Sequence, residues 1–177
     1  LVTGVLSFEG ESLEGTLLVE GYDWSLGGQD LPSTRTTLVF DLSGVHGHTL
    51  SKEGEFLKGE FEIGFGADLP LRGHFAFMRF PFHGAQNTAF SSAGGWLSGF
   101  MDMSGQLGGE FAFAASGRLD HLGVRFGSHR LALAEPAEVR INSESVLIDP
   151  VHLTGQDSEL RAGLKVDLVD GRLDVTC

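Results

Sequence analysis

Cysteine is all but missing from this sequence. Cys177 is the only one and holds the last of 177 positions, so the chain can form neither an internal disulfide nor a cysteine-based zinc site. Cytosol, periplasm and cell surface all stay open on that count. Basic residues are scarce as well: 12 Lys and Arg stand against 24 Asp and Glu, a formal charge of -12. That balance excludes the broad cationic surface from which nucleic-acid binding draws most of its strength, so no nucleic-acid partner is expected. The deficit is uneven. Residues 1–70 hold twelve acids against only Arg35, Lys52 and Lys58, which makes the N-terminal part the acidic one.

Long apolar runs are missing, so no segment reads as a membrane helix, and no signal peptide is recognisable. With Leu1 rather than Met at the start, the expectation is a fragment whose targeting segment lies elsewhere. Helical stripes are missing too: no i, i+3, i+4 pattern survives three turns, and the 26 glycines arrive too often for helices. Catalytic signatures fail in turn. There is no G-x-S-x-G elbow, no glycine loop running into Lys-Ser or Lys-Thr, and no H-E-x-x-H. Neighbouring acids such as Glu53/Glu55 and Glu60/Glu62 read as solvated strand faces, since a glycosidase pair must face each other across a cleft. The expectation is a protein that is not an enzyme and carries no cofactor.

What is present is alternation. Over residues 60–71, Phe61, Ile63, Phe65, Ala67, Leu69 and Leu71 fall on one side, and Glu60, Glu62, Gly64, Gly66, Asp68 and Pro70 on the other. One strand of that length would span roughly 40 Å. A second run sets Leu160, Ala162, Leu164, Val166 and Leu168 against Arg161, Gly163, Lys165 and Asp167, then turns at Asp170-Gly171 towards Leu173 and Val175, a hairpin signal. Further strands are expected at 16–19, 22–26, 37–42, 74–82, 96–103, 110–115, 117–124, 129–134, 137–141 and 146–153. Phe75 and Phe77 give way to Phe80 and Phe82 with a one-residue phase shift, which predicts a bulge. Five tripeptides, Leu42-Ser43-Gly44, Leu97-Ser98-Gly99, Met103-Ser104-Gly105, Ala115-Ser116-Gly117 and Leu153-Thr154-Gly155, read as corners where strands bend or stop. An all-β chain follows, a single β-rich segment over residues 1–177.

His46-Gly47-His48 places two imidazoles on one side of an extended strand, where they could share a zinc ion if a third ligand such as His74 or His83 joined them. Such pairs are common and ligand count decides, so a solvated glycine-rich turn is the preferred reading and no metal is expected. The rings of Phe75, Phe77, Phe80 and Phe82, beside Arg72 and Arg79, have the look of a base-stacking platform. Two arginines on an acidic chain supply no cationic groove, so these rings read as packing.

Residues 94–177 add an order of motifs. Gly94-Gly95-Trp96-Leu97-Ser98-Gly99 is followed by Met101-Asp102-Met103-Ser104-Gly105, Ala115-Ser116-Gly117-Arg118-Leu119 and Leu131-Ala132-Leu133-Ala134-Glu135-Pro136-Ala137-Glu138-Val139-Arg140. Then come Val146-Leu147-Ile148-Asp149-Pro150-Val151-His152-Leu153-Thr154-Gly155 and Ser158-Glu159-Leu160-Arg161-Ala162-Gly163. This half of the chain resembles the TamB family, the inner-membrane component of the translocation and assembly module, within the AsmA-like superfamily. The resemblance implies a slice of a long periplasmic protein of a diderm bacterium, anchored at the inner membrane and reaching an outer-membrane partner of the Omp85 class. It also implies a long, curved, taco-like (U-shaped) antiparallel-rich sheet with a hydrophobic concave face, serving phospholipid transport or outer-membrane protein assembly without catalytic residues.

An apolar trough would suit that task, because each acyl CH₂ costs about 0.8 kcal/mol to expose to water. The residues expected to line it are Phe61, Ile63, Phe65, Leu69, Leu71, Phe75 and Phe77, with Leu160, Leu164, Val166 and Leu168. Its occupants would be phospholipid acyl chains or nascent outer-membrane β-strands. Three alternatives remain at this level: a closed β-sandwich with sheets about 10 Å apart, a secreted binding module of that kind, and an eight-stranded outer-membrane barrel. One Tyr and two Trp are few for the two aromatic girdles of a barrel.

Overall fold

The structure, a computed structural model, describes residues 2–9, 12–22, 25–26, 29–30, 33–51, 56–83, 93–108, 112–167 and 172–176. Among these there is no helix, and so none long and apolar enough to cross a membrane. Fifteen strands follow one another: β1 (Val2–Glu9), β2 (Ser12–Gly21), β3 (Ser25–Leu26), β4 (Gln29–Asp30), β5 (Thr34–Asp41), β6 (Gly44–Ser51), β7 (Leu57–Gly64), β8 (Pro70–His83), β9 (Ala93–Gln106), β10 (Ala112–Phe126), β11 (His129–Leu133), β12 (Ala137–Asn142), β13 (Ser145–Thr154), β14 (Glu159–Asp167) and β15 (Arg172–Thr176). The all-β expectation from alternation holds.

Thirteen of them form one sheet, in the order β1-β2-β5-β6-β7-β8-β9-β10-β11-β13-β14-β15, with β12 joining β10 to β13; β3 and β4 make a separate ribbon. Neighbours pair antiparallel throughout, as short connections between successive strands dictate. The long β10 pairs with β12 along residues 114–119 and with β11 along residues 123–126, so β11 and β12 share one place in the sheet. The first and last strands of the sheet each have one described neighbour, which differs from the closed eight-stranded barrel held open above.

Several boundaries differ from the sequence reading. Residues 60–71 are two strands, because Gly64, Gly66 and Pro70 interrupt the alternation and the chain reverses between β7 and β8, with Ile63 paired to Leu71. Residues 110–115 and 117–124 belong to the single strand β10 where described. Of the stretch 22–26, the described residues place Ser25 and Leu26 in β3 and Tyr22 outside any strand. The turn at Asp170-Gly171 and Leu168 lie outside the described residues, while β14 and β15 pair as the hairpin reading requires.

Three of the five small tripeptides are not corners. Leu97-Ser98-Gly99 and Met103-Ser104-Gly105 lie inside β9, and Ala115-Ser116-Gly117 inside β10. A strand sends neighbours to opposite faces, so each of these puts its serine on one face and its glycine on the other. Leu42-Ser43 does turn the chain, between β5 and β6, and Leu153-Thr154-Gly155 closes β13.

Burial is shallow. The only apolar side chains among the described residues counted as buried are Ala115, Ala137, Val139 and Leu153, and no large side chain is fully buried. The accessible surface is 11553 Å² for 18.9 kDa, whereas a compact chain of this mass exposes about 8,300 Å².

Candidate functional site

The register sorts side chains into two unlike faces. One row across the sheet runs Leu17, Leu38, Gly47, Phe61, Gly73, Met103, Ala115, Ile141 and Val146, and reaches the register position of Val166. Two residues along, the next row runs Val19, Thr36, Thr49, Gly59, Phe75, Met101, Gly117, Val139 and Ile148, and reaches Leu164. A third holds Phe40, Val45, Ile63 and Leu71. No charged residue stands in any of them. The opposite face carries His48, Glu60, His74, Asp102, Ser116 and Arg140 in one row, a polar series on the same strands.

The apolar face is furnished by pairing rings with glycines. Directly opposite Phe61 is Gly47, and opposite Phe75 is Gly59. A Cβ built on Gly47 would lie 2.1 Å from Phe61 Cζ, and one on Gly59 would lie 2.2 Å from Phe75 Cδ1. The rings therefore lie down over bare backbone. This shields part of each ring without a second layer, and Phe61, Ile63, Leu71, Phe75 and Phe77 all end half-buried. Past Phe77 a bulge corrects the phase, so Phe80 pairs with Leu97 and Phe82 with Gly95 on the same face. The phase shift seen in the sequence is this bulge.

Two of the expected trough residues are elsewhere. Phe65 and Leu69 stand in the turn between β7 and β8, 48% and 36% exposed, and Leu69 has a φ of 44°. The alternation that suggested a continuous strand ran through this turn by coincidence of residue type. Leu160 does belong to the apolar face, opposite Leu153, and is exposed. The two groups named from sequence share a face but are not adjacent: six strand steps separate Phe61 from Val166, roughly 29 Å. Met101, Met103, Ala115, Ile141 and Val146 fill the interval. Met101-Asp102-Met103 carried the signal for two of them, a pair of apolar residues flanking an acid.

His46 and His48 lie within β6 rather than in a glycine-rich turn, both on the polar face. His46 Nε2 is 3.3 Å from Asp41 Oδ2, and His48 Nδ1 is 3.5 Å from Glu60 Oε1. His74 Nδ1 sits 2.6 Å from Asp102 Oδ1. Each ring is thus turned to its own carboxylate, and among the described residues no three His, Cys, Asp or Glu converge as metal ligands. In the β5–β6 turn the Asp41 carboxyl accepts from the Ser43 hydroxyl, the Ser43 amide at 2.7 Å and the Gly44 amide at 3.2 Å. These bonds, the Ser43 hydroxyl first, hold it below the ordinary carboxylate range.

No family model, curated protein or solved structure matches this chain.

Proposed function

We propose that the apolar face binds extended apolar chains, as the trough of a TamB-like segment in a periplasmic bridge between two membranes. The observation that supports this most is the row structure: three neighbouring rows without a charged residue, on a single sheet whose large side chains are half-buried. The only described element outside the sheet is the ribbon of β3 and β4, two residues a strand, too small to cover such a face. Half-buried rings lying over glycines offer a low, continuous apolar floor. Against it an acyl chain can lie flat, gaining about 0.8 kcal/mol for each CH₂ withdrawn from water.

In this reading the parent protein is anchored at the inner membrane, the occupants are phospholipid acyl chains or nascent outer-membrane β-strands, and an Omp85-class protein receives them. The segment does no chemistry; its work is to lower the barrier to crossing an aqueous gap. A photo-crosslinking residue placed at Phe61 or Phe75 tests this. Adducts carrying phospholipid are expected in diderm cells. Polypeptide adducts would transfer the role to strand assembly, and a folded chain that captures neither would sink the proposal.

A further inference from the structure

The polar face is arranged so that charges meet opposites. Arg35 pairs with Glu20, His74 with Asp102, and Arg118 with Asp120, and in register Glu62 faces Arg72 and Arg118 faces Glu138. One place breaks the arrangement. Arg125 of β10 stands directly opposite Arg130 of β11, and no other cross-strand pair of described residues sets two like permanent charges against each other. Like charges in that position destabilise a sheet, and the chain as a whole is strongly acidic, with carboxylates to spare. Neither guanidinium has a described carboxylate partner.

The surroundings form a concave site. A hollow of about 490 Å³ lies there, and Gly94, Gly95, Gly123, Trp96 and the two arginines are among the residues that line it. Arg79 packs its guanidinium 5.6 Å from the Trp96 ring centre, bringing a third cation to the same end. Next to Arg125 the chain makes a tight hairpin, Phe126 facing His129, with Gly127 at a φ of 58° and Phe126 43% exposed. The tip is therefore amphipathic: Phe126 points to the apolar face, and Arg125 to the polar one.

We propose that this end of the sheet docks on an anionic phospholipid surface. Arg125 and Arg130 take headgroup phosphates in the glycine-lined hollow, since planar guanidinium forks match phosphate oxygens. Trp96 and Phe126 sit at the boundary between headgroups and acyl chains, where an apolar ring with or without a polar edge is at home. The cluster is local, so the rest of an acidic chain is held off the same surface and the sheet meets the membrane by its end. This is independent of whether the apolar face holds a chain.

Flotation of the chain with vesicles of phosphatidylcholine, alone or mixed with anionic phosphatidylglycerol, tests it. Binding is expected only to the mixed vesicles, weakening as salt rises. R125E/R130E should bind at least tenfold more weakly, while R72E, a charge reversal in the middle of the same face, should bind as the unaltered chain does. R125Q/R130Q, checked by circular dichroism, covers the case in which two added acids disturb the hairpin. Absence of vesicle binding, or equal loss in R72E, overturns the proposal, as does binding of inorganic phosphate, followed by tryptophan fluorescence, without binding of vesicles. Crosslinking of a dispersed short-chain phospholipid at Phe61 should persist in R125E/R130E, so failure here and failure of the trough are separately visible.

Discussion

Phe61 and Phe75 owe their positions to what their neighbours lack. Each ring occupies the space that a side chain on Gly47 or Gly59 would fill, so the pair is a two-residue unit: a ring, and the bare backbone beneath it. Gly47→Val should lift Phe61 from the sheet and lower stability by about 1–3 kcal/mol, the usual cost of an overpacked site. Urea midpoints at constant slope measure it. Adding Phe61→Ala should return part of the loss, because the clash is with that ring; no recovery would mean the glycine matters for backbone reasons alone. Leu69 tests the other end of the same strand pair. Its φ of 44° lies in the left-handed region that a branched side chain enters at a cost. Leu69→Gly should therefore be neutral or stabilising by up to about 1 kcal/mol, whereas a trough residue replaced by glycine would lose stability.

At the scale of elements, alternation was readable wherever it was unbroken, and it failed where residue type imitated it. Phe65, Ala67 and Leu69 continue the odd-numbered apolar series of β7, yet Gly64, Gly66 and Pro70 turn the chain between them. Ser-Gly was misleading for the opposite reason. Ser98-Gly99 and Ser116-Gly117 look like turns, but in a strand they are one polar-face residue and one apolar-face residue. Their partners across the sheet supply the bulk, and no single stretch of sequence shows its partners. The Phe77/Phe80 bulge, by contrast, was visible because both sides of the phase shift are aromatic. Met78 and Arg79 together stand opposite Ser98 alone, so deleting Arg79 would leave an unbulged strand with Phe80 and Phe82 still on the apolar face, whereas one Ala inserted after Arg79 would turn both rings to the polar face. The insertion should be poorly soluble or unfold at markedly lower urea than the deletion, and the opposite order would contradict the register.

The β5–β6 turn gives an element its pH dependence. Asp41 has its carboxyl held below the ordinary value by the Ser43 hydroxyl and amide. A depressed carboxylate contributes stability above its unfolded value, about 3.9, and that contribution is lost as pH falls through the lower folded value. Asp41→Ala should thus lower the melting temperature at pH 6, with the gap to the parent closing below about pH 4 as the carboxylate is protonated. A gap independent of pH would assign the turn to backbone geometry instead.

For the whole molecule the decisive quantity is surface. A single sheet with rings lying over glycines buries no large side chain completely among the described residues, and the chain exposes 11553 Å², about 40% more than a compact protein of its mass. Unfolding therefore uncovers less new surface, by about 15–20%, and the urea slope, which tracks that quantity, should fall short by the same fraction of the value for a globular chain of equal length. The same openness limits the loss from truncating the trough. Phe75→Ala should cost less than the 3–5 kcal/mol typical of a phenylalanine in a closed core, because part of that ring is already in water. A full urea slope together with a full core penalty at Phe75 would mean that in solution something covers the apolar face. A reduced slope with a small penalty leaves it accessible, which is the condition for an acyl chain to enter.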